Sequence, residues 1–533
     1  MKLLKINMAA LLVLMLGISA SQASTTVIRL IGSTAYRGAV ENAITHTLQS
    51  GFTFAWYTDP NTGFSSIDKA QAVIYSGTTS ANGSGNNVAG VIFPANTAVI
   101  IKAYWGGSVG GAKALVKLET PTSDSSNWWL SETGNTLSTT GTRLTSPVWN
   151  DATVSPDAAF SDAAPSTIQA YLANQSVPWS ITGYSEAQVG VNTFVFVKSL
   201  LSTGSTMSGT FNNITALQFR AAAQTMPLSV ITGSAADSGI TVAPMGRDED
   251  SGTRITALAE SGLGTTTLLQ QIQPVGFDNS SSHITGISIQ NAGTGYTSVP
   301  TVTITNAPAD STGSGATATA VLSGSTTVAS ITITGSGTGY SLPPTVAISG
   351  GGGSGATANA SIGGSTMTVT GIWPAATVAQ VSYPAGDSGF TNGPDLAYAM
   401  NQVPAATDSG LGIFPAIFVG YLSVGDAAGV ASGNNALLYN GAACTAANIE
   451  NGQYSFWSYE HMYWKTTNAN AAYMKGIAQQ LYIKESAGSG ANVNGTSVAK
   501  TLRLIDMQVS RGTEGTLITS GNTATGTVTI ANH

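Results

Sequence analysis

The chain has 533 residues, which is enough for two or three domains with substantial cores. Only 8% of the residues are charged, against roughly 25% in an average soluble protein, but 42% are hydrophobic, which excludes a disordered chain. The net charge of −7 and the absence of a Lys/Arg cluster make nucleic acid and anionic membrane surfaces poor partners.

The first 23 residues are typical of an export signal. Lys2 and Lys5 precede the apolar run Met8 to Ile18, and Ser21-Gln22-Ala23 supplies the small residues of a cleavage site. The apolar run is too short to span a membrane, and no later segment reaches about 18 apolar residues. Because the single cysteine, Cys444, is far from the signal, we expect no N-terminal lipidation and no internal disulfide. The mature protein is predicted to be soluble and periplasmic, extracellular or at the cell surface.

Three segments then repeat one pattern, in which a short apolar strand leads through small polar residues into a helix. The predicted strands are Val27 to Ile31, Ala98 to Tyr104 and Asp157 to Ala163. The residues that follow or end them are Gly32-Ser33-Thr34-Ala35, Gly106 to Gly111, and Ser161-Asp162. An α/β protein of this kind places ligands at strand carboxyl ends and helix N-termini.

The segment from Met245 to Gly262 adds a fourth loop of the same chemistry. Ser251 is a good N-cap, and Gly262 can close the helix. Arg247 precedes Ser251-Gly252-Thr253, so a guanidinium, two hydroxyls and free backbone N–H groups come together at a helix N-terminus. These groups suit a tetrahedral oxyanion. The alternative is an ordinary capped helix in which Arg247 pairs with one of the acids of Asp248-Glu249-Asp250.

Residues 281–372 contain a repeat of 44 residues. Gly293-Thr294-Gly295-Tyr296 returns as Gly337-Thr338-Gly339-Tyr340, and Pro300-Thr301-Val302 returns as Pro344-Thr345-Val346. Alternating Val, Ile and Thr between Gly-rich turns indicates short β-hairpins, so the two copies predict a small all-β surface or interaction module.

The four loops resemble those of the phosphate-binding proteins of high-affinity phosphate ABC transporters, which have the type 2 periplasmic-binding-protein fold. Gly32 to Ala35 is similar to the family's first loop, and Gly107 to Gly111 matches its Gly-Ser-x-Gly-Gly loop. Phe160 to Ala163 is similar to its Ala-Ser-Asp-Ala segment, and Arg247 to Thr253 matches Arg-x-x-x-Ser-Gly-Thr without a gap. Later segments, such as Val419 to Ser423, resemble the family's return segment. The chain departs from the family in its small Ala35 and in the inserted module.

The resemblance implies a two-lobed α/β binding protein with no cofactor, no metal and no catalytic activity. Lobe 1 would comprise residues 24–191 and 437–533, and lobe 2 residues 192–436, with the module at 281–372. Inorganic phosphate, and arsenate as a second ligand, would bind between the lobes for delivery to a membrane ABC transporter. The implied phosphate-binding residues are Thr34, Ala35, Ser108, Asp162, Arg247, Ser251, Gly252 and Thr253. Asp162 would accept the proton of hydrogen phosphate, and the other residues would donate hydrogen bonds.

Two other functions stay open. The first is a structural or adhesive surface protein on the same fold, which the low charge and the β module favour. The second is a serine hydrolase, because Gly106 to Gly110 fits the Gly-x-Ser-x-Gly nucleophile elbow, with Asp426 and His461 following Ser108 in the hydrolase order. No His-Gly-Gly oxyanion loop precedes Ser108. The four histidines lack metal-ligand spacing, which argues against a zinc site.

Overall fold

The computed structural model describes most of the chain after the predicted export signal, which itself lies outside the described residues. The described residues are 25–58, 67–80, 94–117, 128–151, 153–307, 310–324, 326–378, 381–405, 411–428, 430, 435–488, 490–493, 496–522, 524 and 527–533. Within these ranges no helix is long and apolar enough to cross a membrane.

The first part of the chain alternates strands with helices. Its elements are β1 (Thr26–Gly32), α1 (Arg37–Thr47), β2 (Thr53–Tyr57), β3 (Ala72–Thr78), β4 (Ala98–Tyr104), α2 (Ser108–Leu115), β5 (Trp129–Leu130), β6 (Thr142–Leu144), β7 (Trp149–Asn150), β8 (Ala158–Ser161), α3 (Pro165–Asn174) and β9 (Tyr184–Lys198). Strand β1 lies parallel between β4 and β8. Its apolar side chains are covered on both faces, which explains its nearly continuous hydrophobic sequence.

The middle of the chain continues the same alternation and carries the inserted module. Before the module come β10 (Asn213–Ile214), α4 (Ala216–Ala222), β11 (Met226–Pro227), α5 (Ser229–Thr232), β12 (Thr241–Pro244), α6 (Gly252–Glu260) and β13 (Ile272–Asp278). The module itself contains β14 (His283–Thr294), β15 (Thr301–Thr305), β16 (Ser314–Ser323), β17 (Thr327–Thr338), β18 (Thr345–Ser349) and β19 (Ser354–Gly363).

The chain then returns to the main body. Its remaining elements are β20 (Thr366–Ile372), β21 (Ala376–Val378), β22 (Val381–Tyr383), α7 (Gly393–Met400), β23 (Val403–Pro404), β24 (Ala416–Ser423), α8 (Val424–Ala427), β25 (Leu438–Tyr439), α9 (Ala446–Glu450), β26 (Trp457–Lys465), α10 (Ala471–Gln480), β27 (Gly490–Val493), β28 (Thr496–Ala499), β29 (Thr501–Leu502), β30 (Val509–Ser510), β31 (Thr519–Ser520) and β32 (Ile530–Asn532).

One large mixed sheet joins the two halves of the body through β9. The sheet has 13 strands in the order β11-β12-β24-β9-β26-β8-β1-β4-β3-β2-β6, with β29 and β32 also on β9. Residues 184–193 of β9 pair with β26, and residues 194–198 pair with β24. We call the β26-to-β6 side with its helices the first half, and the β11, β12 and β24 side the second half. The α/β class predicted from the sequence is confirmed, with extra antiparallel sheets added to it.

The module has an internal pseudo-two-fold arrangement. Strands β14, β15 and β16 belong to the first repeat, and β17, β18 and β19 to the second. Each long hairpin-like pair takes one strand from each repeat, because β14 pairs with β19 and β16 pairs with β17. The registers are equivalent, since Thr294 faces Ser354 as Thr338 faces Ser314. The predicted all-β structure is therefore formed mainly by pairing between the repeats, and β18 also pairs with β19 within the second repeat.

Strand β20 belongs to the body of the protein, although its residues lie within the predicted insertion 281–372. It pairs antiparallel with β13 and parallel with β23. Its Met367 and Val369 are buried in the main hydrophobic core. The part of the chain that leaves the body is thus bounded by Asp278 and Thr366, which face each other in the β13–β20 pair.

Candidate anion-binding site

Four of the predicted site residues meet between the two halves of the body. The Ser108 hydroxyl, at the first residue of α2, donates to Asp162 Oδ1 at 2.5 Å. The Thr253 hydroxyl, in the first turn of α6, lies 3.5 Å from Asp162 Oδ2. Gly252 packs so closely on this pair that an ideal Cβ there would lie 1.5 Å from Asp162 Oδ1. Residues from two other, distant parts of the chain therefore surround the Asp162 carboxylate.

Asp162 follows β8 and is almost completely buried, with 2% of its surface exposed. Its backbone oxygen accepts from the Thr256 hydroxyl, and its backbone N–H donates to Ser108 Oγ. Burial raises the pKa of Asp162 to about 6, while the Ser108 hydrogen bond and the Arg247 charge act in the opposite direction. Above that pH Asp162 is a carboxylate that accepts from the Ser108 hydroxyl and lies near the Thr253 hydroxyl.

Arg247 is buried beside this cluster and is held by backbone oxygens. Its Nε donates to Phe390 O at 3.0 Å, and its Nη2 donates to Thr391 O at 2.9 Å. Its own N–H donates to the Tyr421 hydroxyl. None of the ion pairs in the described part of the chain involves Arg247, so the alternative in which it pairs with Asp248, Glu249 or Asp250 is not what the structure shows. Its positive charge lowers the pKa of both Asp162 and Asp248, although burial raises each of them more.

The three acids beside Arg247 have different surroundings. Asp250 Oδ1 lies 2.7 Å from Lys113 Nζ, and Glu249 accepts from the Ser388 hydroxyl. Asp248 Oδ1 is buried without a hydrogen-bond partner. Desolvation raises the pKa of both Asp248 and Glu249 above the usual carboxyl range, and their mutual repulsion adds to it for Asp248. Since its pKa is about 8, the Asp248 carboxyl is mostly neutral at pH 7.

Ser251 is the N-cap of α6, as predicted. Its side chain accepts from Arg254 N–H at 3.3 Å, and its backbone is extended. The Arg254 guanidinium is buried and bonds both the backbone oxygen and the carboxylate of Asp387. Arg254 is thus bonded to Asp387, and Arg247 remains the candidate cation of the site.

Thr34 and Ala35 lie near this cluster but are not joined to it. Ser33 N–H donates to Phe160 O at 3.0 Å, which fixes the loop against the end of β8. An ideal Cβ on Gly32 would lie 2.1 Å from the same oxygen, so this approach requires glycine. Thr34 and Ala35 are half-buried, and among the described residues no hydrogen bond connects them to Ser108 or Asp162.

One backbone N–H at each of two helix N-termini of the site is already bonded to another group of the chain. Val109 N–H, in α2, donates to the backbone oxygen of Asp250 at 3.0 Å. Ala164 N–H, at the start of α3, donates to both carboxylate oxygens of Glu514, and the Thr167 hydroxyl donates to Glu514 Oε2. Sequence reasoning missed Glu514, because nothing local marks a carboxylate 350 residues away as the cap of α3.

A second buried carboxyl, Glu460 on β26, was also missed. Asn192 Nδ2 donates to its Oε2, and its Oε1 has no hydrogen-bond partner. Burial and the neighbouring Asp162 charge raise the pKa of Glu460 well above the usual range. The sequence signal for Glu460 is weak. It is a Glu among large apolar residues in a strand that is buried along nearly its whole length, and this is unusual.

The serine-hydrolase hypothesis is wrong for this arrangement. Ser108 bonds Asp162, Asp426 pairs with Lys69, and His461 Nδ1 lies 2.6 Å from Glu186 Oε1. No hydrogen bond in the described part of the chain links these three residues, so Ser108 has no activating base. No cluster of three His, Cys, Asp or Glu side chains suited to a metal occurs in the described ranges.

Comparisons with known proteins give distant likenesses only. No protein-family model and no curated protein matches the chain. A solved structure called a possible phosphate binding protein, from Planctomyces limnophilus DSM 3776, is similar with 11% identity over 84% of this chain and 86% of that chain, at a TM-score of 0.29. Two structures of phosphate-binding proteins from Stenotrophomonas maltophilia have 11% and 12% identity, over 89% of this chain and 87% of theirs, also at 0.29. These likenesses concern the fold alone.

Proposed function

We propose that this protein is an exported solute-binding protein that captures inorganic phosphate between the two halves of its body. The observation that carries the proposal is the meeting of Ser108, Gly252 and Thr253 around the buried carboxylate of Asp162. Hydroxyl and backbone donors, one acceptor and a nearby guanidinium are the set of groups that a protonated tetrahedral oxyanion needs.

In this proposal each residue has one role. Ser108 and Thr253 turn their hydroxyls from Asp162 to the phosphate oxygens, and the α6 N-terminus adds its N–H groups and dipole. Arg247 supplies the positive charge without losing its backbone partners. Asp162, once relieved of the Ser108 hydrogen bond, accepts the proton that hydrogen phosphate carries. No covalent step is involved.

Access requires the two halves to separate, since Gly252 packs directly on Asp162. Strand β9 passes from one half to the other between Thr193 and Phe194, and such crossing segments serve as hinges in domain closure. Phosphate would bind the open form and be enclosed on closure. Export to the periplasm or cell surface and delivery to a membrane transporter belong to the same proposal.

A structural or adhesive surface role is the second candidate, and one observation favours it. One backbone donor at each of the α2 and α3 N-termini, Val109 N–H and Ala164 N–H, is already bonded to Asp250 O and to the Glu514 carboxylate. A fold that has given up its ligand would fill its own anion sites in this way. The module adds a surface with almost no charge, because its sequence contains one Asp, Asp310, one His, His283, and no Glu, Lys or Arg.

Calorimetry on the phosphate-stripped mature protein separates the two candidates. Titration with phosphate, arsenate and sulfate should show one site for phosphate with micromolar or tighter affinity, equivalent to about −8 kcal/mol. Arsenate should compete and sulfate should not. Absence of heat with all three anions would leave the surface role.

A further inference from the structure

The segment from Arg247 to Thr253 is fastened to α2 at Asp250. The backbone oxygen of Asp250 accepts from Val109 N–H at 3.0 Å, and its Oδ1 lies 2.7 Å from Lys113 Nζ. Helix α2 follows β4 in the first half of the body, and Asp250 follows β12 in the second half. Both contacts therefore hold the two halves together beside the candidate anion site.

Two glycines at the start of α2 make this close approach feasible. Gly107 has a φ of 99°, and an ideal Cβ on it would lie 2.6 Å from Asp250 O. An ideal Cβ on Gly110 would lie 3.5 Å from Asp250 Oδ2. Gly107 and Gly110, which the sequence places in an anion-binding loop, thus provide the space that Asp250 occupies.

Lys113 and Asp250 form a buried ion pair between the halves. The Lys113 side chain is only 1% exposed, and removing a counter-charge from a buried ammonium is strongly disfavoured. Arg254 is paired with Asp387, so that carboxylate is engaged. Burial raises the pKa of Asp248 to about 8, so that carboxyl is mostly neutral at pH 7. The Asp250 carboxylate supplies a negative charge in direct contact with the Lys113 ammonium.

We propose that Lys113 and Asp250 form a latch that positions Ser251, Gly252 and Thr253 against Ser108 and Asp162 in the closed form of the protein. Gly252 is two residues beyond Asp250, so fixing Asp250 fixes the turn that covers Asp162. Because the latch stabilises the closed form, it favours retention of a ligand that has been enclosed. Lys113 and Asp250 are positioning residues. The consequence for affinity rests on the proposed phosphate function, whereas the ordering of the turn does not.

The latch is tested in the full mature protein with Lys113→Met, Asp250→Asn and the double variant. Hydrogen exchange followed by mass spectrometry should be at least tenfold faster in the peptides that contain Val109 and residues 252–256 in each single variant. The double variant should be milder than either single one, because it removes both charges of the pair. Lys69→Met is the matched control. It breaks another ion pair between the halves, Lys69–Asp426 at 2.9 Å, and should leave both peptides unchanged.

Phosphate affinity, measured by calorimetry on the same proteins, should fall at least tenfold in both single variants. Unchanged exchange in both site peptides would overturn the latch, whether or not phosphate binds. Faster exchange in a protein that binds no oxyanion would keep the latch and refute the phosphate function. Asp250→Asn retains the size and the backbone oxygen of Asp250, so it decides the matter if Lys113→Met does not fold.

Discussion

Gly313 and Tyr340 belong to different copies of the 44-residue repeat, yet an ideal Cβ on Gly313 would lie 2.2 Å from Tyr340 Cδ1. Gly353 stands in the same relation to Tyr296, with an ideal Cβ 2.5 Å from Tyr296 Cγ. Both tyrosines are 2% exposed. Each repeat therefore leaves room for the buried aromatic ring of the other, which explains why the Gly-Ser-Gly-Ala and Gly-Thr-Gly-Tyr sequences recur together.

We expect Gly313→Ala and Gly353→Ala to destabilise the module by similar amounts, on the order of 1–3 kcal/mol, because each added methyl overpacks an equivalent tyrosine pocket. Urea unfolding followed by tyrosine fluorescence or far-UV circular dichroism measures this. Gly371→Ala, in β20, is the control, since a Cβ there meets nothing within 4 Å. A variant pair with clearly unequal losses would contradict the pseudo-two-fold equivalence.

Replacing residues 279–365 by a two-residue Asn-Gly turn should leave a folded protein that keeps its oxyanion binding. Asp278 and Thr366 face each other in the β13–β20 pair, which is the spacing that a type I′ hairpin turn closes. The site residues all lie outside the replaced segment. The measurement is calorimetry beside the intact protein. A well-folded replacement protein without binding would show that the module helps to form the cleft.

The same replacement made at 281 and 372, the boundaries that the repeat indicates, should fail to give a stable protein. It removes β20, whose Met367 and Val369 are in the main core. Loss of two buried apolar side chains costs several kcal/mol. The repeat marks the module well because recurrence is a local signal. It does not mark β20, because only its pairing with β13 assigns that strand to the body.

Arg247→Ala should weaken phosphate binding by at least roughly 1.5–3 kcal/mol, the contribution of a charged hydrogen bond. Its guanidinium is anchored by Phe390 O and Thr391 O, so a rigid charge is lost and two carbonyls lose donors. Calorimetry gives the affinity, and circular dichroism checks the fold. Arg254→Lys is not an equivalent control, since Arg254 bonds Asp387. Gln224→Ala, on the surface, serves instead. Equal affinity in Arg247→Ala would remove Arg247 from the site.

Asp248→Asn should stabilise the protein at pH 8.5 and change little at pH 4. A carboxyl whose pKa is raised in the folded state favours folding at low pH and opposes it as pH rises through the folded pKa. Desolvation raises the pKa of Asp248, whereas Asn does not ionise. One pKa unit corresponds to about 1.4 kcal/mol, which sets the scale of the gain. Urea unfolding at both pH values measures it.

Asp237→Asn should change the stability at pH 8.5 in the opposite direction to Asp248→Asn. Hydrogen bonds from Ser208 and Gly209 N–H and from the Thr232 hydroxyl lower the pKa of Asp237. Its contribution is therefore present above its unfolded pKa and lost in acid, and its replacement should destabilise the protein at pH 8.5. If both variants shift stability in the same direction, the surroundings assigned to Asp248 are wrong.

Local patterns predicted the parts of the site that are local. The N-cap at Ser251 follows from a few neighbouring residues. The strands predicted at Val27 to Ile31 and Asp157 to Ala163 are found at Thr26–Gly32 and Ala158–Ser161, within two residues at each end. The contacts Asp250–Lys113 and Glu514–Ala164 could not be predicted, because each joins segments far apart in the chain through the closing of the sheet. For the same reason, the sequence did not show that Asp250 and Glu514 would bond backbone N–H groups at the N-termini of α2 and α3.

The sharpest prediction concerns selectivity and follows from Asp162. Phosphate and sulfate are similar in size, so hydroxyls, amides and Arg247 cannot separate them well. Hydrogen phosphate offers Asp162 a proton, whereas sulfate would place two negative oxygens together in a site shielded from water. Sites that leave buried polar groups unpaired reject the wrong ligand by roughly 10⁴-fold. At pH 7.5 the wild type should not bind sulfate at a concentration at which phosphate would saturate the site.

Selectivity should weaken as pH falls through about 6, the value to which burial raises the pKa of Asp162. Below that pH the carboxyl is protonated, so it donates to an oxyanion and no longer repels sulfate. Asp162→Asn should show the same low phosphate-to-sulfate ratio at pH 7.5 as at pH 5, since an amide donates at both. Competition calorimetry at the two pH values measures the ratio. A wild-type ratio independent of pH, together with an unchanged ratio in Asp162→Asn, would mean that another group discriminates between the anions.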